Sequence, residues 1–182
     1  MIIAAVFTII GPLVWLAGSW KWINDVQHGA RPVTEEQLRN LEDPAKLPNQ
    51  YVTLPKIDKI VDSGIVTVKS TKGYSMEEKT YLILVADRWL IAQSKLTSEL
   101  ALAMMRPEQA LTGYLFTNRL VGNKDSSVRE MVLAQHPGDK FYPFMIDLAD
   151  QKDLANVRIW SVVLVVLLGI YLLWDGYKRM KA

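Results

Sequence analysis

The 182-residue sequence predicts an α+β extracytoplasmic domain of about five strands and three short helices, held between two transmembrane α-helices. Three observations carry this expectation. An uncharged run opens the chain, a second lies near its other end, and the stretch between them alternates strand-like and helix-like patterning with turn and capping residues at the joins.

The opening run, IIAAVFTIIGPLVWLAGSW, holds nineteen residues from Ile2 to Trp20 without a charge. As a helix rising about 1.5 Å per residue it reaches roughly 28 Å, close to the hydrocarbon thickness of a bilayer. Gly11-Pro12 falls in its middle, where proline removes one backbone hydrogen bond and sets a packing kink that membrane helices tolerate. The end of the run, WLAGSWKWIND, resembles a lipoprotein cleavage site as far as Gly18, but Ser19 stands where lipid attachment needs a cysteine. A basic region ahead of the apolar run, as a cleaved signal would have, is also missing. Residues 2–22 therefore read as an uncleaved signal anchor, with Trp15, Trp20 and Trp22 in an interfacial belt and residues 15–25 as the hinge into the domain.

The second run, IWSVVLVVLLGIYLLW, covers sixteen residues from Ile159 to Trp174. It reaches only about 24 Å as a helix. Arg158 can snorkel, and Trp160, Trp174 and Tyr177 suit the two interfacial belts, which extends the span to residues 158–177. A soluble helix rarely lacks a polar face for four turns, so membrane is the better reading than core.

Lys178, Arg179 and Lys181 make residues 178–182 a basic cytoplasmic tail by the positive-inside rule. Lys21 and Arg31 follow the first run and pull the other way, but a connecting region of this length escapes control by loop charge. The expected arrangement is an integral protein of a bacterial inner membrane, with both termini cytoplasmic and residues 24–156 periplasmic. The tail can also be read as an anionic-lipid site, although three charges form a minimal cluster.

Within the domain, Thr34 and Gln37 fit a capping box for a short helix striped by Leu38 and Leu41 and ending before Pro44. YVTLPKI and GIVTVKSTKGY have strand texture, with Gly64 and Gly73 as turns. Thr80 to Val85 and Trp89 to Gln93 form a hairpin around Ala86-Asp87-Arg88, its first strand apolar on both faces and so centrally placed. A helix opening at Thr97 or Ser98 follows, then a strand in ALTGYLFTNRLV, a helix in SSVREMVLAQH and a final strand in FYPFMIDL. Strand order is not readable from these patterns, and a mixed sheet or a partly open barrel would both satisfy them.

The chemistry is sparse. With no cysteine, disulfides, thiolate catalysis and sulfur-built metal sites are excluded. Lys and Arg total 21 against 19 Asp and Glu, so there is no basic field to gather nucleic acid. His28 and His136 are far apart, and His136 sits in the turn sequence QHPGD, where a solvated side chain is expected. No nucleotide-binding glycine loop or usual metal-ligand spacing is present, so no cofactor is expected.

A serine activated by lysine needs neither histidine nor cysteine, and Ser70 with Lys72 or Ser94 with Lys95 are the pairs available, both in exposed-looking stretches. Glu77-Glu78 in MEEK reads as a solvated, turn-like surface. Trp89, Phe141, Tyr142 and Phe144 are the aromatics that could present a partner surface, although the FYPF residues and Trp89 also suit a core. The resulting expectation is a non-enzymatic accessory subunit or assembly factor that works at the bilayer on another membrane protein or complex. The alternatives are a membrane-tethered Ser/Lys hydrolase and a lipid-binding module. The two-anchor layout is similar to that of cytochrome oxidase assembly factors and of the membrane-proximal domain of mitochondrial ubiquitin ligases; the likeness is one of layout, and neither activity follows from it.

Overall fold

A computed structural model describes residues 2–71, 74–94, 110–117, 124–148 and 151–181. The chain divides into two compact units, Gly29–Ala149 on one hand and Met1–His28 with Asp150–Ala182 on the other. The first is a mixed α+β domain built on one sheet, and the second is helical.

The domain's strands are β1 (Arg31–Pro32), β2 (Tyr51–Thr53), β3 (Lys59–Thr71), β4 (Tyr74–Val85), β5 (Arg88–Ser94), β6 (Thr112–Phe116) and β7 (Phe141–Asp147). Among the described residues they form a seven-stranded sheet in the order β1-β2-β6-β7-β5-β4-β3. The expected count was lower because β1 is a two-residue edge strand, parallel to β2, in a stretch whose glycine and proline read as loop. Proline is tolerated there because an edge strand need not donate on its outer side.

The expected hairpin is present, β4 running antiparallel to β5 from Lys79–Ser94 to Val85–Arg88. Its turn is Ala86-Asp87, both with positive φ (50° and 68°), the double left-handed pair that matches the twist of a two-residue hairpin. β3 and β4 pair antiparallel from Lys59–Leu84 to Thr71–Tyr74, with an irregularity between Asp62 and Val66. Gly64 sits in that irregularity at φ 71°, so it bends one long strand instead of reversing the chain, and Gly73 lies outside the described residues. β5 and β7 pair in parallel, which makes the sheet mixed.

Alternation along the strands fills two cores. One face carries Val52, Tyr81, Ile83, Leu90, Leu115, Tyr142, Phe144 and Ile146, packed with Val33, Leu38, Leu54 and Ile57. The other carries Ile65, Leu82, Ile91, Phe116 and Met145 beneath Val128 and Val132. β4 therefore contributes to both, as its doubly apolar pattern required.

Leu38 comes from helix α3 (Glu35–Asn40), and Val128 and Val132 from α4 (Lys124–Gln135). The predicted capping box is formed: Gln37 N donates to Thr34 Oγ1 at 3.1 Å, and Thr34 N to Gln37 Oε1 at 2.9 Å. The helix expected from Thr97 or Ser98 lies outside the described residues.

The helical unit contains α1 (Ile2–Gly18), α2 (Trp20–Gln27) and α5 (Gln151–Lys181). One helix among the described residues is long and apolar enough to cross a bilayer, Lys152–Lys178 within α5, with mean hydropathy 2.2 over its most apolar part. The first expected crossing differs from a plain helix over 2–22. Its helix stops at Gly18, turns through 59° and continues as α2, so it qualifies only as a broken span. Pro12 lies inside α1, and the break comes at Ser19.

Candidate functional site

The features that set this chain apart are gathered in the helical unit. On α5, Ala155, Val162, Gly169 and Gly176 are buried at seven-residue spacing, with Val166 and Leu173 half-buried between them. A seven-residue repeat keeps one seam of a helix facing a neighbour. A glycine in such a seam has no side chain to hold two backbones apart. α1 packs against α5, and its own half-buried positions, Thr8, Ile9, Pro12, Leu16 and Ser19, recur at the three- and four-residue steps of one face. Phe7, Val14, Leu164 and Leu167 point away from this seam and are exposed.

At the break, Ser19 is the N-cap of α2 but makes no side-chain cap. Its amide still reaches the carbonyls of Trp15 and Leu16, and its carbonyl receives Ile23 N at 3.0 Å, so both backbone groups of Ser19 are met across the bend. The Ser19 hydroxyl instead accepts a hydrogen bond from Arg158 Nη1 at 3.2 Å. Arg158 Cζ stands 4.5 Å from the ring centroids of both Trp15 and Trp22. Trp15 lies in the last turn of α1, Ser19 at the break and Trp22 in the first turn of α2, so the bend gathers all three around a single cation. One step further along, Gln27 Nε2 donates to Asn156 Oδ1 at 2.9 Å, and Lys21 bridges buried Asp25 at 2.9 Å.

These contacts place the C-terminal end of α1 beside the N-terminal part of α5, so the two helices run antiparallel. At the far end of α5, Lys178 Nζ lies 3.7 Å from the centroid of the Trp174 ring, and Trp174 stands 6.5 Å from Tyr171. Tyr177 is exposed beside them. Arg158 and Lys178 are twenty residues apart on one continuous helix, about 30 Å at 1.5 Å per residue. Trp20 and Trp160 are exposed near the Arg158 end. Arg179 and Lys181 continue α5 beyond Lys178.

The aromatics proposed as a partner surface are placed differently. Tyr142 and Phe144 are fully buried and stack on each other at 5.3 Å, which corrects that expectation, since a side chain with no exposure offers a partner nothing to touch. Trp89 and Phe141 are half-buried and pack against the smaller core, Phe141 edge-on to His136 at 6.4 Å. The Tyr142 hydroxyl donates to Val85 O at 3.1 Å, and burial raises its phenol above the ordinary range despite the opposing effect of Arg88. Arg129 donates to Tyr142 O at 3.0 Å, and burial lowers its guanidinium from the usual value.

The remaining chemical candidates scatter. Ser94 is buried in β5, while Lys95 and Lys72 lie outside the described residues. His136 faces Asp139 at 3.5 Å in the expected turn, and His28 Nδ1 lies 2.8 Å from Asn24 O. Glu77 is exposed, but Glu78 is 1% exposed, because MEEK continues strand β4 and alternation turns every second residue inward. Glu78 shares its face with a row of register partners running Thr80, Gln93, Asp147, Tyr114 and Tyr51 across five strands. No group of three or more metal-ligating residues forms among the described residues.

Sequence reading missed the link between Arg158 and the Trp15-Ser19-Trp22 cluster, which joins positions 139 residues apart. The available signal was the pair of tryptophans seven residues apart flanking Ser19 at one end, set against a lone arginine opening the other apolar run. No protein-family model, curated protein or solved structure matches the chain.

Proposed function

We propose that the chain is an integral membrane protein whose α1 and α5 cross the bilayer as an antiparallel pair. The α+β domain is carried on one side of that membrane, as an accessory or assembly component for another membrane protein. The observation that carries this reading is the length of α5 between its two polar-aromatic ends, with α1 packed against it. Along α5, Arg158 stands sixteen residues from Trp174 and twenty from Lys178, roughly 24 to 30 Å, close to the thickness of a hydrocarbon core. Tryptophan with arginine or lysine at each end and exposed aliphatic side chains between is the pattern that lipid requires.

In this reading the basic end bearing Lys178, Arg179 and Lys181 lies in the cytoplasm of a bacterial-type cell, and residues 24–156 lie outside it. Two anchors confine the domain to the membrane surface, which raises its effective concentration for partners there without any added contact. Washing native membranes with alkaline carbonate tests the anchoring. The full chain stays in the pellet if α1 and α5 are embedded, and its release to the supernatant refutes the proposal. A serine-reactive probe separates the accessory role from the Ser/Lys hydrolase: labelling at Ser70 or Ser94 that disappears on replacing Lys72 or Lys95 would favour the enzyme.

A further inference from the structure

We propose that Arg158 binds the phosphodiester group of an anionic membrane lipid at the leaflet where α1 bends into α2. The inference rests on the membrane reading above and names a ligand for one end of the helix pair. A guanidinium has five N–H donors in a planar fork. Arg158 gives one hydrogen bond, to the neutral Ser19 hydroxyl, and its other donors meet no acceptor among the described residues. The nearest acid on the facing helix, Asp25, is engaged by Lys21 at 2.9 Å. The Trp15 and Trp22 rings ease the cost of holding a cation there but supply no counter-charge.

The cluster therefore carries one uncompensated positive charge, fixed in position from both helices. Its tryptophans belong at the level of lipid headgroups, where phosphate oxygens are the abundant anions. A guanidinium matches a phosphate with two parallel charge-assisted hydrogen bonds, a geometry that an ammonium cannot copy. A zwitterionic headgroup brings its own cation, for which Arg158 offers no acid, so the site favours a lipid with net negative charge.

The full chain, stripped of lipid in mild detergent, is titrated with dioleoylphosphatidylglycerol or dioleoylphosphatidylcholine and followed by native mass spectrometry. One phosphatidylglycerol is expected to be retained more tightly than any phosphatidylcholine. Arg158→Gln is expected to weaken it roughly tenfold or more, the size of a lost charge-assisted pair, while Lys178→Gln leaves it unchanged. Arg158→Lys keeps the charge between the helices and loses the fork, so it is expected to fold and still weaken binding severalfold, which preserves the test if Arg158→Gln misfolds.

Equal retention by wild type and Arg158→Lys, or equal binding of the two lipids, overturns the proposal. Displacement of the adduct by millimolar inorganic phosphate overturns the lipid assignment in favour of a soluble anion. The membrane reading fails separately, by release of wild-type protein in the carbonate wash.

Discussion

Replacing Gly113 by alanine tests the least local feature of the fold, the insertion of β6 between β2 and β7. A methyl group built at Gly113 would lie 2.6 Å from the Asp147 carbonyl oxygen, 2.6 Å from Ile146 Cγ1 and 2.8 Å from Ile146 Cδ1. Ile146 is fully buried and has no room to swing away, and the Asp147 carbonyl belongs to the backbone of β7. Restoring ordinary contact at about 3.5 Å would require β6 to retreat from β7 by roughly 0.9 Å, enough to weaken the Tyr114–Asp147 and Leu115–Ile146 pairing.

Two effects oppose each other. Alanine narrows the unfolded ensemble and favours a strand over glycine by about 0.5–1 kcal/mol. Overpacking in a closed core costs about 1–3 kcal/mol, and the backbone contact pushes this case to the upper end. The net is a loss of about 2 kcal/mol, or roughly 8 °C in melting temperature for a domain of this size. Thermal unfolding of the full chain in detergent, followed by far-ultraviolet circular dichroism, reads it directly. An alanine variant that melts at or above wild type would mean that β6 does not lie this close to β7.

Thr34→Ala removes the acceptor for Gln37 N and is expected to cost about 1 kcal/mol, whereas Thr34→Ser is near neutral; equal denaturation midpoints for all three would deny the capping box a role. Tyr142→Phe loses the bond to Val85 O and should cost about 0.5–1.5 kcal/mol at neutral pH. Burial raises the phenol above its ordinary value of 10.0, so the unfolded chain releases this proton at lower pH than the folded one. The contribution of Tyr142 is therefore complete below pH 10 and is lost as pH rises past it. Urea titrations at pH 9 and 11 should show the gap between wild type and Tyr142→Phe narrowing; a constant gap would contradict the burial of an ionisable phenol there.

Local signals translated well into structure. Thr34 and Gln37 specify their capping box within four residues, and the apolar run ending at Val85 needed only a two-residue turn to pair with Trp89 onward. The parallel pairing of β5 with β7 depends on contacts between segments some fifty residues apart, to which no periodicity points. Glu78 was misplaced because charge suggested surface, while the strand's period of two sets side-chain direction whatever the residue.

At the membrane end, WLAGSWKWIND showed a hinge but not what holds it. The 59° bend at Ser19 is secured by Arg158, whose own sequence neighbours suggest only snorkelling. The seam of Ala155, Val162, Gly169 and Gly176 was present in the spacing, yet it acquires meaning only once α1 is seen to pack on α5.

Because the chain has no cysteine, any cysteine introduced is the sole reactive thiol. Labelling intact cells with a membrane-impermeant maleimide therefore tests the two-crossing arrangement most directly. Asp139→Cys, in an exposed turn of the domain, should label in intact cells. Ile3→Cys and Ala182→Cys should label only after the membrane is opened, and Leu167→Cys, exposed midway along α5, should resist labelling in both conditions. Labelling of Ile3→Cys from the same side as Asp139→Cys, or ready labelling of Leu167→Cys, would contradict an antiparallel pair of crossings by α1 and α5.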